Sequence, residues 1–275
     1  MTDLPLTAGP TAARPPEARA LASLTRPARW KPAEFAFWAA AAASFFLLPD
    51  KHLLLTEIAI LGLFAVSLDL IIGYAGIVSL GHGAFFGLGA YTAGLVSIHL
   101  TGEPLTGLLL GGIAAGVVGL ATAPLLLLRA SDLTRLMVTL GIAMLLYEAA
   151  NKAAWLTGGA DGLQGVWIDP IFGRYEFDLM GTTAYAYCLV VTFLLFLLAR
   201  RIVTSPYGLS LRAIRDNPLR SATIGIPVGR RLIAIYTLSA FMAGIAGALL
   251  TQTTTFVSLD VLAVDFHPEL SRVGA

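Results

Sequence analysis

The chain has 275 residues, of which 57% are hydrophobic and only 13% charged, with a net charge of +1. A soluble domain of this length needs more polar side chains to cover its surface, and a disordered chain is far less apolar, so both classes are excluded. The balanced charge gives no support for nucleic acid as a partner, and the composition predicts an all-α polytopic membrane protein embedded in the lipid bilayer.

The N-terminal segment, residues 1–34, is rich in proline and contains no apolar run. Repeated prolines interrupt regular structure, and the segment lacks the apolar stretch and the small-residue cleavage site of a signal peptide. We therefore expect a flexible cytoplasmic N-terminal arm, followed by a transmembrane domain over residues 35–256.

Seven hydrophobic runs follow the arm, and each is long enough, or nearly so, to cross about 30 Å of hydrocarbon. The first run is short and could lie obliquely in the membrane. Together the runs predict about seven transmembrane helices, at residues 35–49, 54–73, 83–100, 105–128, 136–156, 183–199 and 232–252.

The basic residues give an independent test of this order, because cytoplasmic segments of membrane proteins keep an excess of Lys and Arg. With the N-terminus in the cytoplasm, most of the 18 Lys and Arg residues fall in three inside segments, 1–34, 129–135 and 200–231. The outside segments are mainly acidic, as at Asp161 and Glu176. Loss of one middle span would place the arginine-rich segment outside, so the charges favour seven spans.

A glycine-rich segment lies between the second and third spans, with six glycines between residues 73 and 89. Each glycine costs about 1 kcal/mol relative to alanine in a helix interior, which argues against a regular helix here. Irregular backbone at membrane depth persists only where protein or an aqueous cavity surrounds it. The segment therefore predicts a broken or re-entrant helix beside a translocation route, and the alternative is a cytoplasmic turn between two ordinary helices.

Two ionisable residues accompany this segment, Asp69 at the end of the second span and His82 among the glycines. A charge at membrane depth needs water, other helices or a partner, and His82 is the nearest candidate partner for Asp69. The alternative places Asp69 at the cytoplasmic interface, where it caps or hydrogen-bonds the following glycine turn. His82 is then a structural hydrogen-bonding group.

The longest inside loop, residues 200–231, is basic and carries two helix-start signals. Ser205 precedes Pro206, and Asn217-Pro218 begins a second short helix that Gly225 ends. The first helix presents Leu209, Leu211 and Ile214, and the second presents Leu219, Ala222 and Ile224, with arginines between them. Such a loop either lies on anionic lipid or docks in a groove of a soluble protein.

Three stretches, GYAGIVSLGHGAFFGLGAY at 73–91, SPYGLSLRAIRDNPLRSATIG at 205–225 and AFMAGIAGALL at 240–250, resemble the branched-chain amino acid ABC-transporter permease family. The match is closest to the second type of permease subunit and runs over roughly residues 50–262. The resemblance implies an inner-membrane ABC importer permease for branched-chain or hydrophobic amino acids. It also implies four kinds of partner: a homologous permease, two cytoplasmic ATPase subunits, a periplasmic solute-binding protein and the bilayer.

The resemblance further implies roles for two groups of residues. The glycine-rich segment belongs to the core around the translocation route, and its candidates are Asp69, Gly73, Gly76, Ser79, Gly81, His82, Gly83, Gly87 and Gly89. The loop is the coupling element that touches the ATPase, and its candidates are Arg212, Arg215, Asp216, Asn217, Arg220, Ala222 and Gly225.

No motif in the chain points to catalysis. The sequence contains no G-x-x-x-x-G-K-[ST] run, no HExxH, no GxSxG and no paired-carboxylate motif. Its single cysteine, Cys188, rules out an intramolecular disulfide framework and a cysteine-cluster metal site. We expect a transport subunit with no enzymatic activity, no metal ligands and no cofactor of its own, with ATP bound on partner subunits.

Two interpretations stay open beside the amino acid permease: an ABC permease for urea or short amides, and a self-contained secondary transporter or channel that uses Asp69 and His82 as an ion or proton site. The second needs several paired intramembrane charges, which the sequence lacks. The C-terminal tail, residues 257–275, is atypical of the family. It predicts a chain shortened by truncation or a shifted reading frame.

Overall fold

The computed structural model describes residues 30–127, 132–171, 173–178 and 180–262. Residues 1–29 of the expected arm and 263–275 of the expected tail therefore lie outside the described residues. The chain divides into two compact units at Ala42 and Ala43. The described part of the first unit is Trp30–Ala42, which is mostly helix.

The described residues are almost entirely helical. The helices, in chain order, are α1 Pro32–Leu47, α2 His52–Asp69, α3 His82–His99, α4 Pro104–Leu127, α5 Asp132–Lys152, α6 Ala154–Thr157, α7 Thr182–Val203, α8 Pro206–Asp216, α9 Pro218–Thr223 and α10 Val228–Thr254. A π-helical segment, Leu70–Ala75, continues α2, and short 3₁₀ turns occupy Pro49–Lys51, Gly159–Asp161 and Leu259–Leu262.

Each of the seven predicted spans coincides with one of the helices α1 to α5, α7 and α10. Within the described residues, five helical stretches are long and apolar enough to cross a membrane: Pro49–Ala75, Pro104–Leu125, Leu133–Lys152, Thr182–Val203 and Val228–Thr254. The all-α polytopic architecture is therefore confirmed. A crossing by the shorter α1 and by the glycine-containing α3 stays a prediction.

The core forms where α10 packs against α3 and α4. At this crossing three glycines bring the helix backbones into direct contact: a Cβ on Gly244 would lie 2.7 Å from the carbonyl oxygen of Gly111, and one on Gly111 would lie 2.9 Å from that of Gly89. Lipid tails are as apolar as leucine, so helices in a membrane gain stability from such close packing rather than from apolar burial. We call Gly89, Gly111 and Gly244 the glycine junction.

Helix α2 packs between α10 and α7, and polar side chains join it to α7. The Thr192 hydroxyl donates to the backbone oxygen of Ala59 at 3.3 Å. Nearer the start of α7, the Ser44 hydroxyl of α1 lies 2.9 Å from the Tyr185 hydroxyl. The bond from Thr192 holds α2, from which the glycine-rich segment continues, against α7.

The segment after α10 returns to the core. An isolated antiparallel bridge joins Val257 to Leu163, and both side chains are buried. Leu262 fills the space beside Gly87, where an added Cβ would lie 2.6 Å from the leucine Cγ. Residues 257–262 of the expected tail thus pack against α3.

Candidate functional site

The glycine-rich segment is a broken helix. Helix α2 passes into the π-helical segment Leu70–Ala75, which ends at Gly76 with φ +69°. The backbone N–H of Ile77 donates to the carbonyl of Ile71 at 2.9 Å. Residues 76–81 then run without helical structure until α3 begins at His82. A side chain is strained at the φ of Gly76, so glycine permits the turn that ends the helix.

The non-helical stretch is shorter than the sequence predicts. Gly83, Gly87 and Gly89 lie within the regular helix α3, so the expectation of irregular backbone is wrong for this half of the segment. The physical reason is packing: Gly87 contacts Leu262, and Gly89 belongs to the glycine junction. Close contact between helices offsets the intrinsic helix cost of each glycine.

Helix α5 holds the unwound residues in place. The backbone N–H of Leu80 donates to the Thr139 hydroxyl at 3.2 Å. Gly81 lies directly on the Thr139 backbone, since an added Cβ would be 2.7 Å from its carbonyl carbon. Ser79 is only 7% exposed, and its hydroxyl has no hydrogen-bond partner in the described part of the chain. We call residues 76–81 the unwound segment.

His82 is the centre of a buried polar cluster that joins three helices. Its Nε2 lies 3.1 Å from the Ser67 hydroxyl of α2 and 3.2 Å from the Ser239 hydroxyl of α10. Both serines donate to backbone carbonyls, Ser67 to that of Phe64 and Ser239 to that of Ser67. Because both hydroxyl protons are used there, this bonding pattern assigns the ring proton to Nε2, whose single N–H is shared between the two serine oxygens.

Asp69 lies apart from this cluster. Its side chain is exposed and rests on Gly73, where an added Cβ would lie 3.1 Å from the carboxyl carbon. Within the described residues, neither a hydrogen bond nor an ion pair joins Asp69 to His82. The two groups therefore do not form the shared ion or proton site that a self-contained transporter would need.

The basic loop folds into the two short helices that the sequence predicts. The Ser205 hydroxyl accepts a hydrogen bond from the backbone N–H of Gly208 at 3.4 Å, and Pro206 is the first residue of α8. The Asn217 side chain accepts from the backbone N–H of Arg220 at 2.9 Å, with Pro218 as the first residue of α9. Each cap satisfies an N–H that the helix itself leaves free.

The C-terminal half of α8 lies on the end of the broken helix. The Arg215 guanidinium donates to the backbone oxygen of Gly73, and its side chain covers Gly76, where an added Cβ would be 2.7 Å from the arginine Cγ. The Arg212 guanidinium stands 5.1 Å from the centre of the Tyr74 ring. The two groups of candidate residues, in the core and in the loop, are therefore in direct contact.

The N-terminal half of α8 is tied to α10 by residues that are not among the predicted site residues. The Tyr207 hydroxyl donates to the backbone oxygen of Arg231 at 2.7 Å, and the Arg231 guanidinium stands 5.4 Å from the tyrosine ring and donates to the Ser210 hydroxyl. Burial raises the pKa of Tyr207 above its ordinary value, with the Arg231 charge acting in the opposite direction, so the phenol is protonated and donates.

Short helix α9 presents an exposed apolar surface. Leu219 is 81% exposed and Ile224 69% exposed, and Arg220 and Ala222 beside them are also exposed. On α8, by contrast, Leu211 and Ile214 are buried against the core, and Leu209 alone of the three apolar residues is exposed. Asp216 and Gly225 are exposed, and Arg215 and Asp216 form a loose ion pair at 3.5 Å. We call Leu219, Arg220, Ala222 and Ile224 the α9 surface.

No metal site is found in the described residues: nowhere there do three or more His, Cys, Asp or Glu side chains come together. The buried His82 is bonded to serines, and Cys188 is a free thiol buried in α7. The chemistry that these groups offer is hydrogen bonding and close packing.

Comparison with known proteins gives the same family as the sequence resemblance. The family described as "Branched-chain amino acid transport system / permease component" matches residues 52–271. The high-affinity branched-chain amino acid transport system permease protein LivM of Escherichia coli (strain K12) is 27% identical over 218 residues, which cover 71% of this chain and 51% of LivM. The Salmonella typhimurium LivM matches equally well.

An archaeal protein is also similar. The probable branched-chain amino acid transport permease protein LivH of Methanocaldococcus jannaschii is 28% identical over 142 residues, or 51% of this chain and 44% of LivH. The chain spans about half the length of the curated relatives that it matches. No solved structure matches it significantly. Since the family match covers most of the sequence, the chain belongs to the branched-chain amino acid transport system permease family.

Proposed function

We propose that the chain is a permease subunit of an ABC-type importer in the inner membrane, and that it forms part of the translocation pathway for branched-chain and other hydrophobic amino acids. One observation carries the proposal: the broken helix within the helical core touches the capped helix α8 directly, because Arg215 bonds to Gly73 and its side chain covers Gly76, the first residue of the unwound segment. A permease needs such a connection between its route and the surface on which ATPases act. The names of the LivM and LivH relatives support the substrate class.

The proposed partners are two cytoplasmic ATPases, a homologous permease and a periplasmic solute-binding protein. The α9 surface suits an ATPase groove, because its apolar side chains are exposed beside a fixed positive charge, as in other helix-in-groove contacts. The sequence contains no phosphate-binding loop, which supports ATP hydrolysis on separate chains.

The proposed orientation places the N-terminus and the loop 200–231 in the cytoplasm. The support is the distribution of charge: this loop contains seven arginines, whereas the connection between α5 and α7 contains Asp161, Asp169, Glu176 and Asp178. Retention of basic segments on the cytoplasmic side then puts α8 and α9 on the ATP-containing side.

The test is transport by the purified complex. The tagged chain is purified from its native membrane with the subunits that accompany it, incorporated into vesicles, and supplied with ATP inside and with its binding protein outside. We expect ATP-dependent uptake of radiolabelled leucine, isoleucine and valine, and co-purification of ATPase subunits.

The outcomes are distinct. Uptake of urea without leucine would favour the short-amide alternative for the substrate. Uptake that proceeds without ATP or ATPase subunits would refute the importer proposal and favour a self-contained transporter. A matched complex with Leu219→Ser and Ile224→Ser tests docking, and it should lose co-purifying ATPase while the permease remains in the membrane.

A further inference from the structure

Helix α8 is attached to the core at both ends. At its start, Tyr207 and Ser210 bond to Arg231 at the beginning of α10. At its end, Arg212 and Arg215 contact the last turn of the π-helical segment. Any displacement of α8 relative to α10 therefore changes the contacts that Arg215 makes with Gly73 and Gly76.

The contact at Gly73 suits an arginine for two physical reasons. The carbonyls in the last turn of a helix have no helical partner, and the negative end of the helix dipole favours a cation. Arg215 supplies both the donor and the charge. Its aliphatic stem covers Gly76, the residue whose left-handed backbone ends the helix.

Other groups near Arg215 do not neutralise it. Asp216 lies 3.5 Å away, and the two side chains are 44% and 71% exposed, so solvent screens this ion pair. Asp69 contacts the same glycine, Gly73, from within α2, and forms no ion pair with Arg215 in the described part of the chain. The bond to Gly73 is therefore the specific contact of this guanidinium.

The unwound segment follows directly from this contact. Beyond Gly76 it is held by Thr139 at Leu80 and Gly81, and it leads into His82 and its serine cluster. Within the segment, the buried Ser79 hydroxyl has no partner among the described residues. Its burial depends on the backbone course that Arg215 and Thr139 set.

We propose that Arg215, assisted by Arg212, is a positioning residue that keeps the unwound segment closed, and that displacement of α8 withdraws it from Gly73 and releases residues 76–81. This inference rests on the proposed function, because the displacement comes from ATPases bound at the α9 surface. It adds the residue pair through which that displacement reaches the core.

The experiment uses position 79 as the reporter. Ser79 is 7% exposed and its hydroxyl makes no hydrogen bond within the described residues, so Ser79→Cys is a small change. The natural Cys188 is 0% exposed and gives little background labelling. The full complex carrying Ser79→Cys is treated with a maleimide without nucleotide and after trapping with ATP and vanadate.

We expect trapping to raise the labelling rate of the introduced thiol roughly tenfold, which corresponds to loss of a charge-assisted hydrogen bond of about 1.4 kcal/mol. In the Arg215→Met background, labelling should be fast in both states, with a difference of less than about twofold between them. Arg215→Lys keeps the charge and one donor, and it should restore part of the difference. Arg212→Met should act in the same direction, more weakly.

The matched control is Arg201→Met. Arg201 is exposed in the last turn of α7 and does not contact the broken helix in the described structure, so its replacement should leave the effect of trapping intact. Leucine uptake per ATP hydrolysed is measured on complexes that carry the same arginine substitutions and keep Ser79. It should fall in Arg215→Met, with ATP hydrolysis continuing, and should not fall in Arg201→Met.

Three results would overturn the inference: equal labelling of the introduced thiol in both states of the parent complex, an unchanged difference in Arg215→Met, or equal loss in Arg201→Met. Failure of the proposed function is recognised separately, because the wild-type complex, which keeps Ser79, then takes up no leucine with ATP. If the wild-type complex transports leucine and Arg215→Met still shows the full labelling difference, only the positioning role is wrong.

Discussion

Replacement of Gly89 by alanine tests the glycine junction most directly. A Cβ at this position would lie 2.5 Å from the carbonyl carbon of Gly244 on α10, where ordinary van der Waals contact begins at 3.4 Å. The obstacle is backbone, which cannot rotate away as a side chain can. We therefore expect α3 and α10 to separate by about 1 Å at this crossing.

The change in the free energy of unfolding caused by Gly89→Ala is the sum of two opposing effects. Overpacking of a tight site costs about 1–3 kcal/mol, and a contact with backbone on both sides belongs at the upper end. Alanine in a helix interior is about 1 kcal/mol more favourable than glycine. We expect Gly89→Ala to lower the free energy of unfolding by about 2 kcal/mol.

The rate at which Cys188 is labelled reports the stability of the helix packing. This thiol is completely buried on α7 and reacts with a maleimide only when the helices open. Unfolding of the purified protein by sodium dodecyl sulfate in mixed micelles is followed through the labelling of Cys188. A destabilisation of about 2 kcal/mol should raise the labelling rate below the midpoint roughly thirtyfold.

Gly62→Ala is the matched control. A Cβ at Gly62, also within a helix, meets no atom within 4 Å. This variant should be unchanged or more stable by up to about 1 kcal/mol. If Gly89→Ala and Gly62→Ala unfold at the same detergent fraction, the backbone contact at the glycine junction does not contribute as described.

Three further predictions concern the loop, the broken helix and the topology. Asn217→Ala removes the N-terminal cap of α9, which stabilises the helix by about 1 kcal/mol, and should weaken ATPase binding roughly fivefold in titrations. Asn217→Asp keeps the cap and serves as the control, and equal ATPase affinities of the two variants would contradict this prediction. Asp69→Asn, at an exposed position, should keep leucine uptake within about twofold of the wild type, and loss of uptake would indicate a required charge. Asp161→Cys should react with an impermeant maleimide in intact cells, and protection there would overturn the proposed orientation.

The sequence predicts the local features of the loop well. Ser205, Asn217 and the prolines after them act on the backbone within three residues, so their effect can be read from the chain itself. The positions of the seven long helices are equally local, because they depend on runs of apolar residues.

Contacts between distant parts of the chain cannot be predicted from local sequence signals. The bond from Arg215 to Gly73 spans 142 positions, and that between Ser239 and His82 spans 157. Ser67 and Ser239 are polar residues within apolar helices, a signal that could have drawn attention to them. Nothing in the sequence pattern indicates which histidine they meet.

The glycines illustrate the limit of helix propensity. The same residue type ends a helix at Gly76, where φ is +69°, and lies within a regular helix at Gly89. Propensity weighs both positions alike and predicts irregular backbone throughout. Packing against α4 and α10 decides the outcome at Gly89.

The glycine junction also determines which parts of the molecule can shift. Where backbones touch, no layer of side chains is available to change rotamer, so α3, α4 and α10 resist sliding past one another and behave as a single rigid body. The unwound segment links α2 to this body, and α2 in turn packs on α7. A movement of α2 relative to this body would therefore bend the chain at residues 76–81 and break the bonds that join Ser67 to His82 and Ser239.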